Sequence, residues 1–341
     1  MKRQYDIKSK LEEILNTLSF SNEETRSKII NKIEKIIDFE LTALKLTYAK
    51  FITFEEYWNI IKGMSLEQKI DLAHKIIEES IRITKGTSKV IRARLGFSGG
   101  KASTMLLDLL LEHFDQDELI VHFTNTLNEI PESLIYTRKI VKEYFKVKNF
   151  IETIPKITPF QIWKKFGFPK ESRLKGYLPV CCLLLKEIPA KIVIEKFDCT
   201  IDFTGIQFTE SMARRVAMME TGLVRRTRWL GHCICLKKFI TRAYPIAIFT
   251  DHEIWTYLRR RGIPINPAYE KYQISRQGCQ LCTNNVLWRE NLRKINPRLL
   301  KFTEEKMKEW GIQQKTIKLK ELEKILNVDN WEKLYEIRIY C

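Results

Sequence analysis

From Lys89 onward, short β-rich runs alternate with helical stretches, and the first strand-to-helix turn is glycine-rich. KVIRARLGF reads as a strand, SGGKAST as the turn and MLLDLLLEHF as an apolar helix. LIVHFTNT is a second strand followed by the helix PESLIYTRKIVKEYF; FIETIP, the helix AKIVIEKF and the strand CTIDFTGI continue the alternation. Parallel neighbours require crossover connections, so this grammar predicts an α/β fold with a doubly wound, mostly parallel sheet. Residues 1–85 read as helices: apolar positions at Leu11, Ile14, Leu15 and Leu18, and at Ile29, Ile30, Ile33, Ile36 and Ile37, recur at helical spacing. Thr53 and Ser65 are candidate helix starts. After about residue 285 basic helices return in VLWRENLRKI and LLKFTEEKMKEW. The expected division is a helical accessory region at 1–85, the α/β domain at 86–285 and a basic helical region at 286–341.

Composition narrows the class. With 44% hydrophobic and 30% charged residues the chain is that of a soluble globular protein. MKRQYDIKSKLEEIL has no apolar core for a secretory leader, and no apolar run is long enough to span a bilayer. A cytoplasmic enzyme with no membrane association is expected. Lys plus Arg outnumber Asp plus Glu by 59 to 42, for a formal charge of +17, which points to polyanionic partners. Eight cysteines, including a vicinal pair and a CxxC, favour metal or redox chemistry over a disulfide frame.

Ser98-Gly99-Gly100-Lys101-Ala102-Ser103-Thr104 has the ingredients of a phosphate cradle. Glycines let backbone N–H groups close around an anion, and a helix N-terminus adds its dipole. Lys101 would neutralise phosphate oxygens, and Ser98, Ser103 and Thr104 offer hydroxyls. The spacing is neither that of a Walker A loop nor that of a dinucleotide fingerprint.

The loop resembles the SGGKDS loop of the PP-loop ATP pyrophosphatases, and further segments resemble their phosphoadenosine-phosphosulfate (PAPS) reductase branch. Asn125 to Ser133 (NTLNEIPES) is similar to NTGxExPET, and Thr204 to Arg215 (TGIQFTESMARR) to TGxRxxESxxR. Tyr244 to Leu258 with GIPINPAY is similar to PLxxWTxxDVWxYL…IPxNPLY. The resemblance runs from about Lys89 to Asn285. It implies an adenine nucleotide alpha-hydrolase-like fold and ATP binding by Ser98 to Thr104, Asn125, Thr126, Thr204, Gly205 and Ile206, with Arg214 reaching a phosphate or sulfate. Ala102 departs from the family, which has Asp there to help hold Mg²⁺. The intact remainder of the loop favours a replaced aspartate, and alanine puts pyrophosphate cleavage by this chain in question.

Cys181-Cys182 and Cys279-Gln-Leu-Cys282 resemble the CC…CxxC signature of adenylyl-sulfate reductases, which implies four thiolates on a 4Fe–4S cluster. Spacing alone would suit structural zinc as well. Cys233 and Cys235 (HCIC) read as a buried pair or a sulfur relay, and Cys199 as core. Arg225, Arg226, Arg228 and Trp229, followed by Lys237, Lys238 and Arg242, mix guanidinium and aromatic groups in one insertion that suits nucleic acid. Arg259 to Arg261 read as a solvated face, and His232 and His252 as structural.

Two activities follow from the resemblance. One is ATP-dependent sulfur insertion into nucleic acid, DNA phosphorothioation or tRNA thiolation, supplied by a cysteine desulfurase or sulfide. The other is reduction of adenylyl sulfate or its 3′-phosphorylated form, with Cys341 as nucleophile. A non-catalytic nucleotide sensor is a third reading, and homo-oligomerisation is compatible with each.

Overall fold

The computed structural model describes residues 23–48, 53–170, 172–174, 179–230, 234–310, 315–317, 319–327 and 330–340. Leu11, Ile14, Leu15, Leu18, His232, Cys233 and Cys341 lie outside them. Three helices lead: α1 (Glu23–Tyr48), α2 (Phe54–Gly63) and α3 (Leu66–Lys85). Thr53 caps α2 by accepting the Glu56 N–H, and Ser65 forms a reciprocal capping box with Gln68 at the start of α3.

The alternating part follows as β1 (Ala93–Phe97), α4 (Lys101–Leu111), β2 (Leu119–Thr124), α5 (Pro131–Lys139), β3 (Asn149–Pro155), α6 (Pro159–Phe166) and β4 (Ser172–Leu174). Then come α7 (Val180–Cys182), a π-helical turn (Leu183–Glu187), α8 (Ile188–Lys196), β5 (Ile201–Thr204), α9 (Met212–Thr221), β6 (Val224–Leu230) and β7 (Ile234–Ala243). The remainder is α10 (Asp251–Arg260), α11 (Ala268–Tyr272), α12 (Trp288–Ile295), α13 (Pro297–Trp310), β8 (Lys315–Ile317), α14 (Leu319–Leu326) and β9 (Tyr335–Tyr340).

One seven-stranded sheet has the order β6-β7-β5-β1-β2-β3-β9, and β4 pairs separately with β8. β7, β5, β1, β2 and β3 are mutually parallel, while β6 and β9 are antiparallel edges. The α/β expectation therefore holds: a mostly parallel sheet is flanked by helices. Leu95, Val121, Phe150 and Phe203 are buried together with Leu46, Tyr57, Leu72, Ile76 and Ile77 of the leading helices. Those helices thus share a core with the sheet. A second cluster packs α6 to α8 against Ile120, Ile151 and Ile240.

The short β4–β8 pair, the β6–β7 hairpin and β9 were not expected. The basic insertion is the β6–β7 hairpin, and EIRIY in the C-terminal region is β9 rather than helix. β6 and β9 set exposed charged side chains among β-branched or aromatic residues, which masks the strand pattern in the sequence. A buried polar chain crosses the sheet. Arg94 donates to Asp202 (2.5 Å) and to His122 (3.0 Å), Arg242 lies 3.0 Å from Asp202, and His122 meets Thr153 at 2.9 Å. Each buried charge is paired, as burial in low dielectric requires.

Candidate functional site

β1 has β5 on one side and β2 on the other, so the crossovers leave in opposite directions at its carboxyl end. That crevice holds the glycine-rich turn. Gly99 has φ +71, and a Cβ there would lie 2.0 Å from Thr137 Oγ1, so only glycine fits. Ser103 and Thr104 hydroxyls donate to Gly100 O at 3.0 Å each, and the Ser98 N–H donates to Ser103 Oγ. Gly205, at the end of β5 beside Thr204 and Ile206, presses on α4: a Cβ there would be 3.1 Å from Ser103 N. Ala102 is half-buried in the same turn.

The C-terminal part of the domain buttresses this turn. Asn266 Nδ2 donates to Gly99 O at 2.9 Å, and the Lys101 N–H donates to Tyr269 OH at 3.0 Å. Lys101 does not project freely from the loop. Its ammonium donates to Ser275 O at 2.8 Å, lies 3.2 Å from Asp251, and sits over the Trp255 and Tyr269 rings. Burial pulls its pKa below the usual lysine value, Asp251 opposes that, and Arg276 adds to it. Gln277 Oε1 is buried without a partner beside Gly100.

The segment after β2 joins this turn to the cysteines. Asn125 follows β2 and donates to Glu152 Oε1 at 2.9 Å. Thr126 donates to Glu129 at 2.7 Å and stands 3.7 Å from Cys279 Sγ. Asn128 grips the CxxC from both sides: Nδ2 donates to Leu281 O at 2.8 Å, and the Leu281 N–H donates to Oδ1 at 3.3 Å. Gln280 adds a backbone bond to Asn128 O at 2.7 Å.

Cys182, Cys279 and Cys282 lie within electrostatic reach of Cys181. A hydrogen bond with Cys182, burial, and the neighbouring Cys182, Cys279 and Cys282 thiols all push Cys181 well above the usual thiol range. Burial pushes Cys279 up to about 11, with Lys186 opposing. Lys186 is itself raised, first by Cys279 and further by Cys182, Glu129 and Cys282. Cys182, Cys279 and Cys282 are half-buried and Lys186 keeps exposed surface, while Cys181 is buried in the second core cluster. Among the described residues no three His, Cys, Asp or Glu side chains stand as a ready-made metal site. Neutral thiols attract one another weakly, so packing alone sets their spacing. By chemistry, four thiols with an adjacent lysine cation suit an anionic thiolate-bound centre.

Cations line the approach. Arg214, half-buried on α9, is ion-paired with Glu210, and Arg276 lies 3.8 Å from the same carboxylate. Burial lowers Arg214 to about 10; Arg276 contributes, and Cys182 opposes. Arg214 therefore stands within electrostatic reach of both the loop-side cations and the thiols. Cys199 is buried in the core, and Cys235 donates to Leu236 O on β7. Tyr340, the residue before Cys341, pairs with Phe150 at the amino end of β3, the edge opposite the phosphate turn. Its hydroxyl donates to Glu152 and its carbonyl accepts from Lys142.

Several of these residues carry no local sequence signal. Asn128, Glu129 and Asp251 sit within quoted motifs and Glu152 within a quoted strand, whereas Gln277 and Lys186 gain meaning only from their neighbours.

The sequence profile of the phosphoadenosine phosphosulfate reductase domain matches residues 92–285. An uncharacterised protein of Methanocaldococcus jannaschii is 26% identical over 266 residues, 72% of this chain and 50% of the relative. The chain thus spans about half the length of that relative. An adenosine 5′-phosphosulfate reductase of Halalkalibacterium halodurans is 24% identical over 227 residues, 65% of this chain and 89% of the relative. Among solved structures, the PAPS reductase of Candida auris is 17% identical with a TM-score of 0.40, covering 61% of this chain and 92% of that one. A tRNA thiolase of Methanococcus maripaludis with its 4Fe–4S cluster is 14% identical with a TM-score of 0.38, covering 71% and 80%. No helix among the described residues is long and apolar enough to cross a membrane.

Proposed function

The chain belongs to the phosphoadenosine phosphosulfate reductase domain family, and from that premise we propose that it is an ATP-pyrophosphatase-type sulfurtransferase acting on nucleic acid. The observation that carries this reading over a reductase is the direction of β9. It brings Tyr340 opposite Phe150 at the amino end of β3, about one strand length, roughly 20 Å, from the phosphate turn. A reductase needs its nucleophilic thiol at the opposite, carboxyl end of the strands, where adenylyl sulfate would bind.

ATP phosphates would lie over the Gly99–Gly100 turn at the start of α4, where the helix dipole favours an anion and backbone N–H groups held by exchangeable hydroxyl partners could turn to it. Lys101, Arg214 and Arg276 would balance the charge. Asp251, 54% exposed and beside Lys101, is the carboxylate available to Mg²⁺ in place of the one that Ala102 lacks. Cys181, Cys182, Cys279 and Cys282 would hold a 4Fe–4S cluster, with Lys186 offsetting its negative charge. When bound, such a centre supplies a site to carry or deliver sulfur, within reach of an acceptor activated at the neighbouring turn. Thr126 and Glu129 keep the two halves in register. Adenylation of an acceptor oxygen makes it a leaving group, and the incoming sulfur expels AMP. Sulfide would supply that sulfur directly; a cysteine desulfurase would supply it as a persulfide, with a thiol reductant providing the two electrons that release the product.

Reduction of adenylyl sulfate is the second reading, favoured by the complete four-cysteine set and the 24% identity to such a reductase. A paired assay separates them. Pyrophosphate release from Mg-ATP should rise strongly in Ala102→Asp, because a carboxylate there fixes the metal against the triphosphate. Sulfite release from adenylyl sulfate that disappears in Cys341→Ser, with no ATP cleavage by Ala102→Asp, would overturn the sulfurtransferase reading. Anaerobically purified protein should bind about four irons per chain and lose them in Cys279→Ser; a colourless zinc protein would remove the cluster.

A further inference from the structure

The β6–β7 hairpin carries a basic and aromatic surface that none of the chemistry above uses. Arg226, Arg228, Trp229, Lys237 and Phe239 are exposed, Trp229 by 50% and Phe239 by 55%. Arg228 lies over the Phe239 ring at 5.7 Å. The hairpin contrasts with Arg260 and Arg261, whose guanidinium groups are matched by Glu67, Asp108 and Glu112. On the hairpin, Lys238 meets Asp198, but among the described residues Arg226 donates to the Thr87 hydroxyl and Arg228 to Leu236 O at 3.3 Å, with no carboxylate on either. Arg225 Nε on the same strand is buried with no hydrogen-bond partner among the described residues. Charge has therefore been gathered here in excess of what the fold neutralises.

A cavity of about 380 Å³ opens beside these side chains, lined by Thr84, Thr87, Ser88, Thr200, Arg226, Lys238 and Phe239. One aromatic face, hydroxyls and two cations are the complement of a nucleotide unit: a flat base, hydrogen-bonding edges and a phosphate. The base must be unpaired to enter, since a duplex presents only edges and backbone. An acidic peptide would use the cations but gain nothing from the aromatic faces.

We propose that the recess between the end of α3 and the β6–β7 hairpin binds an unpaired nucleotide of a polynucleotide, stacking its base on Phe239. Flanking phosphates lie on Arg226, Arg228, Lys237 and Lys238, and Trp229 stacks a neighbouring base. The surface sits towards the amino edge of the sheet, because Thr200 precedes β5 and the hairpin extends beyond the start of that strand. It is thus a docking surface remote from the phosphate turn, suited to an acceptor large enough to reach both. This rests on nucleic acid being the acceptor.

The test is fluorescence anisotropy with a labelled RNA stem-loop, a single-stranded DNA of the loop sequence and a blunt DNA duplex, over a salt series and without turnover. Both unpaired probes should bind more tightly than the duplex, and whichever binds better names the source. Phe239→Ala should weaken binding about tenfold. Arg226→Gln with Lys238→Gln should reduce the salt slope by about 1.4. Arg260→Gln with Lys148→Gln, matched in charge but off the hairpin, should bind as the parent does. These positions are exposed or partly so, and an unchanged melting temperature confirms that the fold is intact. If the parent protein binds but the hairpin variants bind equally well, or the control pair loses as much, this surface falls while the acceptor reading stands. If the parent prefers the duplex, the unpaired-base site is wrong. If it binds no probe, both readings fall.

Discussion

Replacing Asn128 with alanine tests whether the CxxC loop is latched to the segment after β2. Asn128 is only 5% exposed, and its amide makes both a donated and an accepted bond with the backbone of Leu281, which is itself 1% exposed. Alanine leaves one N–H and one C=O of the CxxC without their partners. Stranding buried polar groups costs about 1–3 kcal/mol each, and water reaching the half-buried Cys279 and Cys282 recovers part of it. A net loss of about 2–4 kcal/mol is therefore expected, localised to the loop between Cys279 and Cys282. Local opening should rise by about 30- to 1,000-fold. The assay is native-state alkylation, with Cys279 and Cys282 followed by peptide mass spectrometry and Cys199 as the buried reference. Cys279 and Cys282 should label faster in Asn128→Ala, with Cys199 unchanged. Equal labelling rates and an unchanged melting temperature would refute the latch.

Three further outcomes are expected. Leu127 stands at φ 57, where the family pattern has glycine, and its side chain is 46% exposed; Leu127→Gly should gain about 0.5–1 kcal/mol by relieving the left-handed strain, read as a small rise in melting temperature. Gly99→Ala should abolish nucleotide binding because its Cβ would meet Thr137 Oγ1 at 2.0 Å, and adding Thr137→Ala should restore it only partly, since φ +71 stays unfavourable. Burial pushes the Glu152 carboxyl up, but hydrogen bonds from Arg138, Tyr340 and Asn125 outweigh that and hold it below the usual carboxylate value. Its stabilising contribution is complete above the unfolded value of about 4.3 and is lost as pH falls through the lower folded value. Arg138→Gln should therefore move the acid-unfolding midpoint to higher pH, and an unshifted acid limb in melting temperature against pH would count against the network.

The sequence by itself determined the layer architecture. Strand and helix each bury a face with their own period, so Ala93–Phe97, Lys101–Leu111 and Leu119–Thr124 are legible locally, and a glycine pair between strand and helix marks the turn at Ser98 to Thr104. Charge hid the β6–β7 hairpin and β9: the edge strands β6 and β9 expose Arg226, Arg228, Glu336 and Arg338, and the internal strand β7 carries Lys237 and Lys238 near its start. Tertiary structure alone decided how the cysteines relate to the turn. Cys182 and Cys279 are far apart in sequence, and what brings the CxxC beside Thr126 is a pair of amide bonds from Asn128, which no periodicity encodes. It also decided the environment of Lys101, whose caging by Ser275, Asp251, Trp255 and Tyr269 depends on a later segment folding back over the loop. Finally, it decided the direction of β9. Pairing antiparallel to β3 carries Tyr340 to the amino edge, and a strand's direction follows from where its connection enters the sheet, not from the residues within it.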